Sequence, residues 1–263
     1  MNLSGVKKEV RSLMEIIRKM DRKVIIIFLS IAILQTISWY YTSRNFFRIN
    51  LFPHFQSDPD VYLYEYLYWF IGDFFIFFIL SIIIIKFILR EDLKNYGLEF
   101  GDYKIGLALS AIFLLVMLPA IWFFSATPDF VAKYPHLLST RNNWGEFYVY
   151  QSGMLLYMIS WEFIWRGFML FGLKEKFGYY SVLIQMIPFV ILHNGKPIPE
   201  TFGAIAGGIA LGVLAFRTNS ILYCVITHME IMFTIDIIST LRYRANEYGV
   251  GFDALFNIFK TIF

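Results

Sequence analysis

Long apolar runs separated by short polar segments organise the whole chain. Residues 1–23 differ from the rest. Val6, Val10, Leu13, Ile16 and Ile17 recur at helical spacing against Lys7, Lys8, Arg11, Arg18, Lys19, Arg22 and Lys23. That pattern predicts a basic amphipathic helix lying on an anionic membrane surface. Apolar runs follow at 24–41, 66–89 and 105–124, the last with Pro119 as a candidate kink. The aromatic start of the second run, from Tyr62, Tyr64, Tyr66, Tyr68 and Trp69, reads as an interfacial belt, with Asp73 one turn inside it and within reach of the interface. A polar loop over 44–62 carries Pro53, His54, Asp58, Pro59 and Asp60, and His54 there has no partner at metal-ligand spacing. A charged loop spans 90–104, and a longer one over 125–146 holds Pro128, Pro135 and His136.

The second half repeats the alternation with more polar content. Residues 147–173 form a fourth span that carries charged residues, followed by a turn at 174–178. The run 179–193 is short for a full crossing, and Pro188 interrupts its hydrogen-bond ladder. After the tight loop 194–200, the short helix expected over 201–216 carries Gly203 and Gly207 four apart, then Gly208 and Gly212 four apart. Such spacing lets helices approach closely. The last clear span is 219–241. The tail from Arg242, with Phe252, Leu255, Phe256, Ile258, Phe259 and Phe263, reads as a surface helix or a short final span.

Composition turns these runs into membrane spans. Hydrophobic residues make up 58% of the chain, with 29 Phe and 17 Tyr, and charged residues only 16%. A soluble domain carries about 25% charged residues, and about 20 apolar residues cross a bilayer. The runs are continuous rather than alternating, which argues against a barrel. The expected fold is therefore all-α: a polytopic membrane bundle of seven or eight transmembrane helices. It comprises the N-terminal segment 1–23 and one transmembrane domain over 24–263. The first run lacks a cleavage-site pattern and reads as a retained span. The single cysteine, Cys224, excludes a disulfide within the chain and reads as a packing residue. Basic residues gather in the N-terminal segment, in the loop with Arg90, Lys94 and Lys104, and at Lys174 and Lys176. They are sparser in the intervening loops, so the N-terminus is expected on the cytoplasmic side. Net charge is only +3, and no basic surface interleaved with aromatics suggests nucleic acid. On these grounds the expected partner is the lipid bilayer.

Candidate chemistry sits where polar groups interrupt the apolar runs. Glu162 and Arg166 lie one helical turn apart and share a face. His193 follows Phe189 by four residues, and His228 sits within the last span. Each ionisable group costs about 3 kcal/mol if it faces lipid, so the set is expected to turn inward and meet. A carboxylate with two imidazoles activates water in one of two ways. Glu162 acts as general base while the histidines position water and stabilise the oxyanion. Alternatively, Glu162, His193 and His228 together ligate a metal such as Zn²⁺ whose bound water attacks. Asp236, two turns beyond His228, is also within reach of a shared cavity.

At these residues the chain resembles the CAAX-protease and bacteriocin-processing (CPBP, Abi) family of intramembrane proteases. That family carries E-E-x-x-x-R, F-x-x-x-H and H-x-x-x-N on successive helices. Glu162 and Arg166 match the second Glu and the Arg, Phe189 and His193 match the second motif, and His228 matches the third. The likeness covers about residues 145–240. Two positions depart from it: Trp161 stands where the family has its first Glu, the presumed water-activating base, and Met232 stands at the Asn position. Asn194 and Glu200 are candidate substitutes. Glu200 is also explained as an acid favoured in the first turn of a helix. The resemblance implies an intramembrane endopeptidase that cleaves a membrane-associated or prenyl-tailed peptide, with Glu162, His193 and His228 as catalytic residues and Arg166, Phe189, Asn194 and Glu200 in support. The substitutions keep a second reading open: a catalytically degenerate member of the fold acting as a membrane scaffold or immunity factor.

Overall fold

A computed structural model describes residues 3–260. Helix α1 (Leu3–Lys19) is exposed from Val6 to Met20. Then come α2 (Arg22–Asn50), α3 (Val61–Leu89), α4 (Tyr103–Phe124), α5 (Trp144–Phe177), α6 (Tyr180–Ile191), α7 (Ile198–Thr218), α8 (Leu222–Ala245) and α9 (Phe252–Phe259). Among the described residues there is no strand. Among the described residues six helices, α2 to α5 with α7 and α8, are long and apolar enough to cross a membrane. The protein is an all-α membrane bundle. The expected count of seven or eight falls to six because two elements are short. Helix α6 rises only about 18 Å and the eight-residue α9 about 12 Å. Phe263 lies outside the described residues.

Short polar side chains set the helix boundaries. Asp21 Oδ1 accepts from the Val24 amide at 3.1 Å, Asp102 Oδ1 from Ile105 at 3.3 Å, and Asn143 Oδ1 from Glu146 at 3.2 Å. Each satisfies one of the amides that a helix start leaves open. Asn219 and Asn246 end α7 and α8 in left-handed conformation. The loop expected from residue 44 begins later, because Ser43 breaks the helix and immediately recaps it. Its hydroxyl accepts from the Phe46 amide at 3.2 Å, and the chain stays helical to Asn50. His54 is exposed, as a loop histidine should be. Asp73 is buried against α2, where Ser38 and Thr42 hydroxyls donate to it.

Helix α5 is the axis of the bundle. Every residue from Ser160 to Leu173 is buried, which keeps Glu162 and Arg166 out of the lipid. Helices α2, α3, α6, α7 and α8 surround it. From Phe163 to Phe171 its backbone widens to π-helical bonding, a local form common beside functional residues. Helices α6 and α7 form a tight hairpin because Gly208 and Gly212 admit it. A Cβ on Gly212 would stand 2.8 Å from Gln185 and 2.9 Å from Val182. Gly203 and Gly207 face the other way, with nothing within 4 Å. Helix α6 continues through Pro188 to Ile191. Cys224 is buried with its Sγ 3.2 Å from the Leu211 carbonyl oxygen, a packing role.

Candidate active site

Glu162 and Arg166 sit at the widened part of α5, both with no exposed surface. Arg166 Nη1 donates to Glu162 Oε1 at 3.1 Å. The guanidinium also lies over Phe189, its Cζ 4.1 Å from the ring centroid, so the aromatic that precedes His193 by one turn is a cation–π partner of the arginine. Helix α8 brings His228 to the same carboxylate, with Nδ1 2.6 Å from Oε1. Both partners therefore share one oxygen. Oε2 of Glu162, and Nε and Nη2 of Arg166, have no hydrogen-bond partner in the protein.

His193 follows the end of α6, with its Nδ1 2.7 Å from the carbonyl oxygen of Phe189. A carbonyl only accepts, so Nδ1 carries the proton and Nε2 keeps its lone pair. The same reasoning places the Nδ1 proton of His228 toward the Glu162 carboxylate. In its neutral form each ring keeps the lone pair at Nε2.

His193 and His228 line one cavity of about 480 Å³ between α4, α6, α7 and α8, together with Glu200 and Thr227. The remaining lining is apolar or glycine, including Gly203, Gly207 and Met232. Glu162 does not line it and stands behind His228. The structure therefore brings Glu162, Arg166 and His228 into direct contact, and joins His193 and Glu200 to His228 through the cavity. Asn194 is exposed and stands outside the lining. Asp236 is buried elsewhere, accepting from Gln151 Nε2 at 2.8 Å.

Glu200 is held at both oxygens. Lys196 Nζ donates to Oε1 at 2.8 Å and the Tyr134 hydroxyl donates to Oε2. Lys196 also donates to the Tyr134 hydroxyl at 3.1 Å and lies 3.2 Å from His136 Nε2. Burial, with Lys196 and Lys133 beside it, holds His136 well below the usual histidine range. Burial and the Glu200 charge push the Tyr134 hydroxyl well above its ordinary value. Tyr134 and His136 were not among the expected site residues. Lys196 and Glu200 stand at i,i+4 and were readable as a pair, but nothing in the sequence brings a loop tyrosine to them.

A zinc ion does not fit these donors. Catalytic zinc takes three protein ligands. Here the carboxylate is already shared between a guanidinium and a histidine Nδ1, and stands behind His228 rather than beside its Nε2. Among the described residues no group of three or more His, Cys, Asp or Glu is placed to hold a metal ion.

A helical membrane protein with a buried Glu–Arg–His set beside an apolar cavity is the class this fold and site define. Residues 142–234 match the family model described as type II CAAX prenyl endopeptidase, Rce1-like. The match contains Glu162, Arg166, Phe189, His193 and His228, and it bears out the resemblance drawn from their motifs. No curated protein and no solved structure matches the chain.

Proposed function

We propose that this protein is an intramembrane endopeptidase that cleaves a peptide bond in a membrane-associated or prenyl-tailed peptide. The observation that carries the reading is the bond between Glu162 and His228, with His228 facing an apolar cavity it shares with His193. His228 Nε2 takes a proton from water as the oxygen attacks the scissile carbonyl. Glu162 behind it stabilises the imidazolium that forms, as a carboxylate behind a catalytic histidine does. The Nε2–H so created donates to the developing oxyanion and then protonates the departing amine. His193 Nε2 accepts from the same water and orients it. Glu162 is thus a positioning residue in this scheme, not the base in contact with water, and Arg166 fixes its rotamer. Glu200, bonded at both oxygens, is the poorer base. The apolar lining suits an acyl or prenyl chain, and the basic N-terminal segment supports a cytoplasmic N-terminus.

The test is cleavage of prenylated and membrane-spanning peptides by the purified protein, read by mass spectrometry. His228→Asn keeps a donor to Glu162, so the fold should hold while kcat falls about 10²–10⁴-fold, the usual share of a general base. Wild-type protein that binds such peptides and cleaves none of them sinks the enzymatic reading in favour of a scaffold.

A further inference from the structure

A second cavity, of about 340 Å³, lies between α2, α3 and α5, with Trp161 in its wall. Trp161 also stands 6.4 Å, ring to ring, from His193, so it separates the two spaces. Asp73 is buried to 2% exposure on this second cavity. Its carboxylate accepts from the Ser38 hydroxyl at 2.7 Å, the Thr42 hydroxyl at 2.6 Å and Trp69 Nε1 at 2.7 Å. All three donors are neutral, so they solvate the charge without cancelling it. Among the described residues no cation pairs with Asp73. Arg44 also lines the cavity, but it is engaged by Glu65 at 2.5 Å and lies over the Tyr66 ring at 3.8 Å. A buried carboxylate without a counter-ion is disfavoured, and within a membrane span most of all.

The rest of the lining says what would answer it. Trp39, Trp69, Tyr157 and Trp161 line the space. Trp69 and Tyr157 are 4.7 Å apart, and Tyr157 and Trp161 are 5.6 Å apart, centroid to centroid. Gln35 Oε1 is buried there without a partner. A hard metal ion needs six or more oxygen ligands, which rings do not supply. An organic ammonium needs one carboxylate and aromatic faces, the combination by which proteins recognise choline and methylated amines. The cavity is of the size that small ligands occupy.

We propose that this cavity binds a small organic ammonium group, with Asp73 as its counter-ion and Trp69, Tyr157 and Trp161 as its walls. The proposal stands independently of the peptidase reading, since Asp73, Trp69 and Tyr157 take no part in it and only Trp161 and Leu192 of the lining adjoin His193.

The probe is choline chloride, added to the purified full-length protein in a detergent without an ammonium group, with tryptophan fluorescence as the readout. Matched sodium chloride and 3,3-dimethylbutanol, the uncharged carbon analogue of choline, serve as controls. A saturable change with choline alone is expected, with its half-saturating concentration raised at least tenfold in Asp73→Asn, which keeps an oxygen for Ser38 and Thr42. An equal response to the neutral analogue, no response to choline, or unchanged binding by the variant overturns the proposal. If the variant does not fold, the comparison of choline with its neutral analogue in wild-type protein decides. Bilayer discs identify the source. A choline response present in phosphatidylglycerol and absent in phosphatidylcholine makes the occupant a lipid headgroup, whereas a response in both makes it a free amine. Either result supports an ammonium site.

Discussion

Arg166 ties three pieces of the site together: it donates to Glu162, stacks on Phe189, and through Glu162 meets His228. Removing one partner of a buried ion pair leaves the other charge without compensation, which costs about 3–5 kcal/mol. Arg166→Ala is therefore expected to lower the melting temperature in detergent sharply. Replacing both partners, as Glu162→Leu with Arg166→Met, should recover part of that loss while leaving the protein inactive. A single variant as stable as wild type would show that the pair contributes nothing. The Glu162–Arg166 pairing was legible in the sequence from its i,i+4 spacing. That Glu162 meets His228 through Nδ1, with its carboxylate behind the imidazole, was not, because side-chain direction depends on the π-helical turn that follows Glu162.

At the scale of elements, the four glycines of α7 divide into two pairs with opposite functions. Gly208 and Gly212 touch α6, whereas Gly203 and Gly207 open onto the cavity. Gly212→Leu should destabilise the protein, since even a Cβ meets Gln185 and Val182 below 3 Å. Gly207→Leu should leave thermal stability nearly unchanged and abolish cleavage, because its side chain grows into open space beside the histidines. Measured together, the two variants separate packing from substrate room; equal losses of stability would refute the division. The sequence spacing announced close approach for both pairs alike. Only the position of α6 decided which pair is packed.

At the scale of the whole molecule, the segment between α4 and α5 is fastened over one end of the bundle. Arg141 donates to the Val131 and Tyr134 carbonyl oxygens, and Arg244 of α8 donates to that of Arg141. His136 of this segment rests against Lys196, which leads into α7. Its pKa lies well below the ordinary value near 6.5 in the folded protein, so the unfolded chain takes up a proton first. The linkage then has one sign: stability is full above about pH 6.5 and falls as the pH drops below it, on the order of 1 kcal/mol per pH unit for one partly buried group. Melting temperatures between pH 8 and 5 should therefore decline, and His136→Gln should flatten the decline. A variant with the wild-type slope removes His136 from the account.

The sequence by itself determined that this is a helical membrane protein. A continuous apolar run must satisfy its backbone polar groups internally, and only a helix does so within one segment. It also determined which polar groups had to turn inward, since each is disfavoured in lipid. The likeness of residues 142–234 to a prenyl-endopeptidase family was readable from spaced motifs alone. Tertiary structure decided the rest. It placed Asp73 under the hydroxyls of Ser38 and Thr42, and brought the Tyr134 loop onto Glu200. It also set His228 between Glu162 and the cavity. Each of these is a contact between residues distant in the chain, and spacing along a helix carries no information about what a neighbouring helix presents.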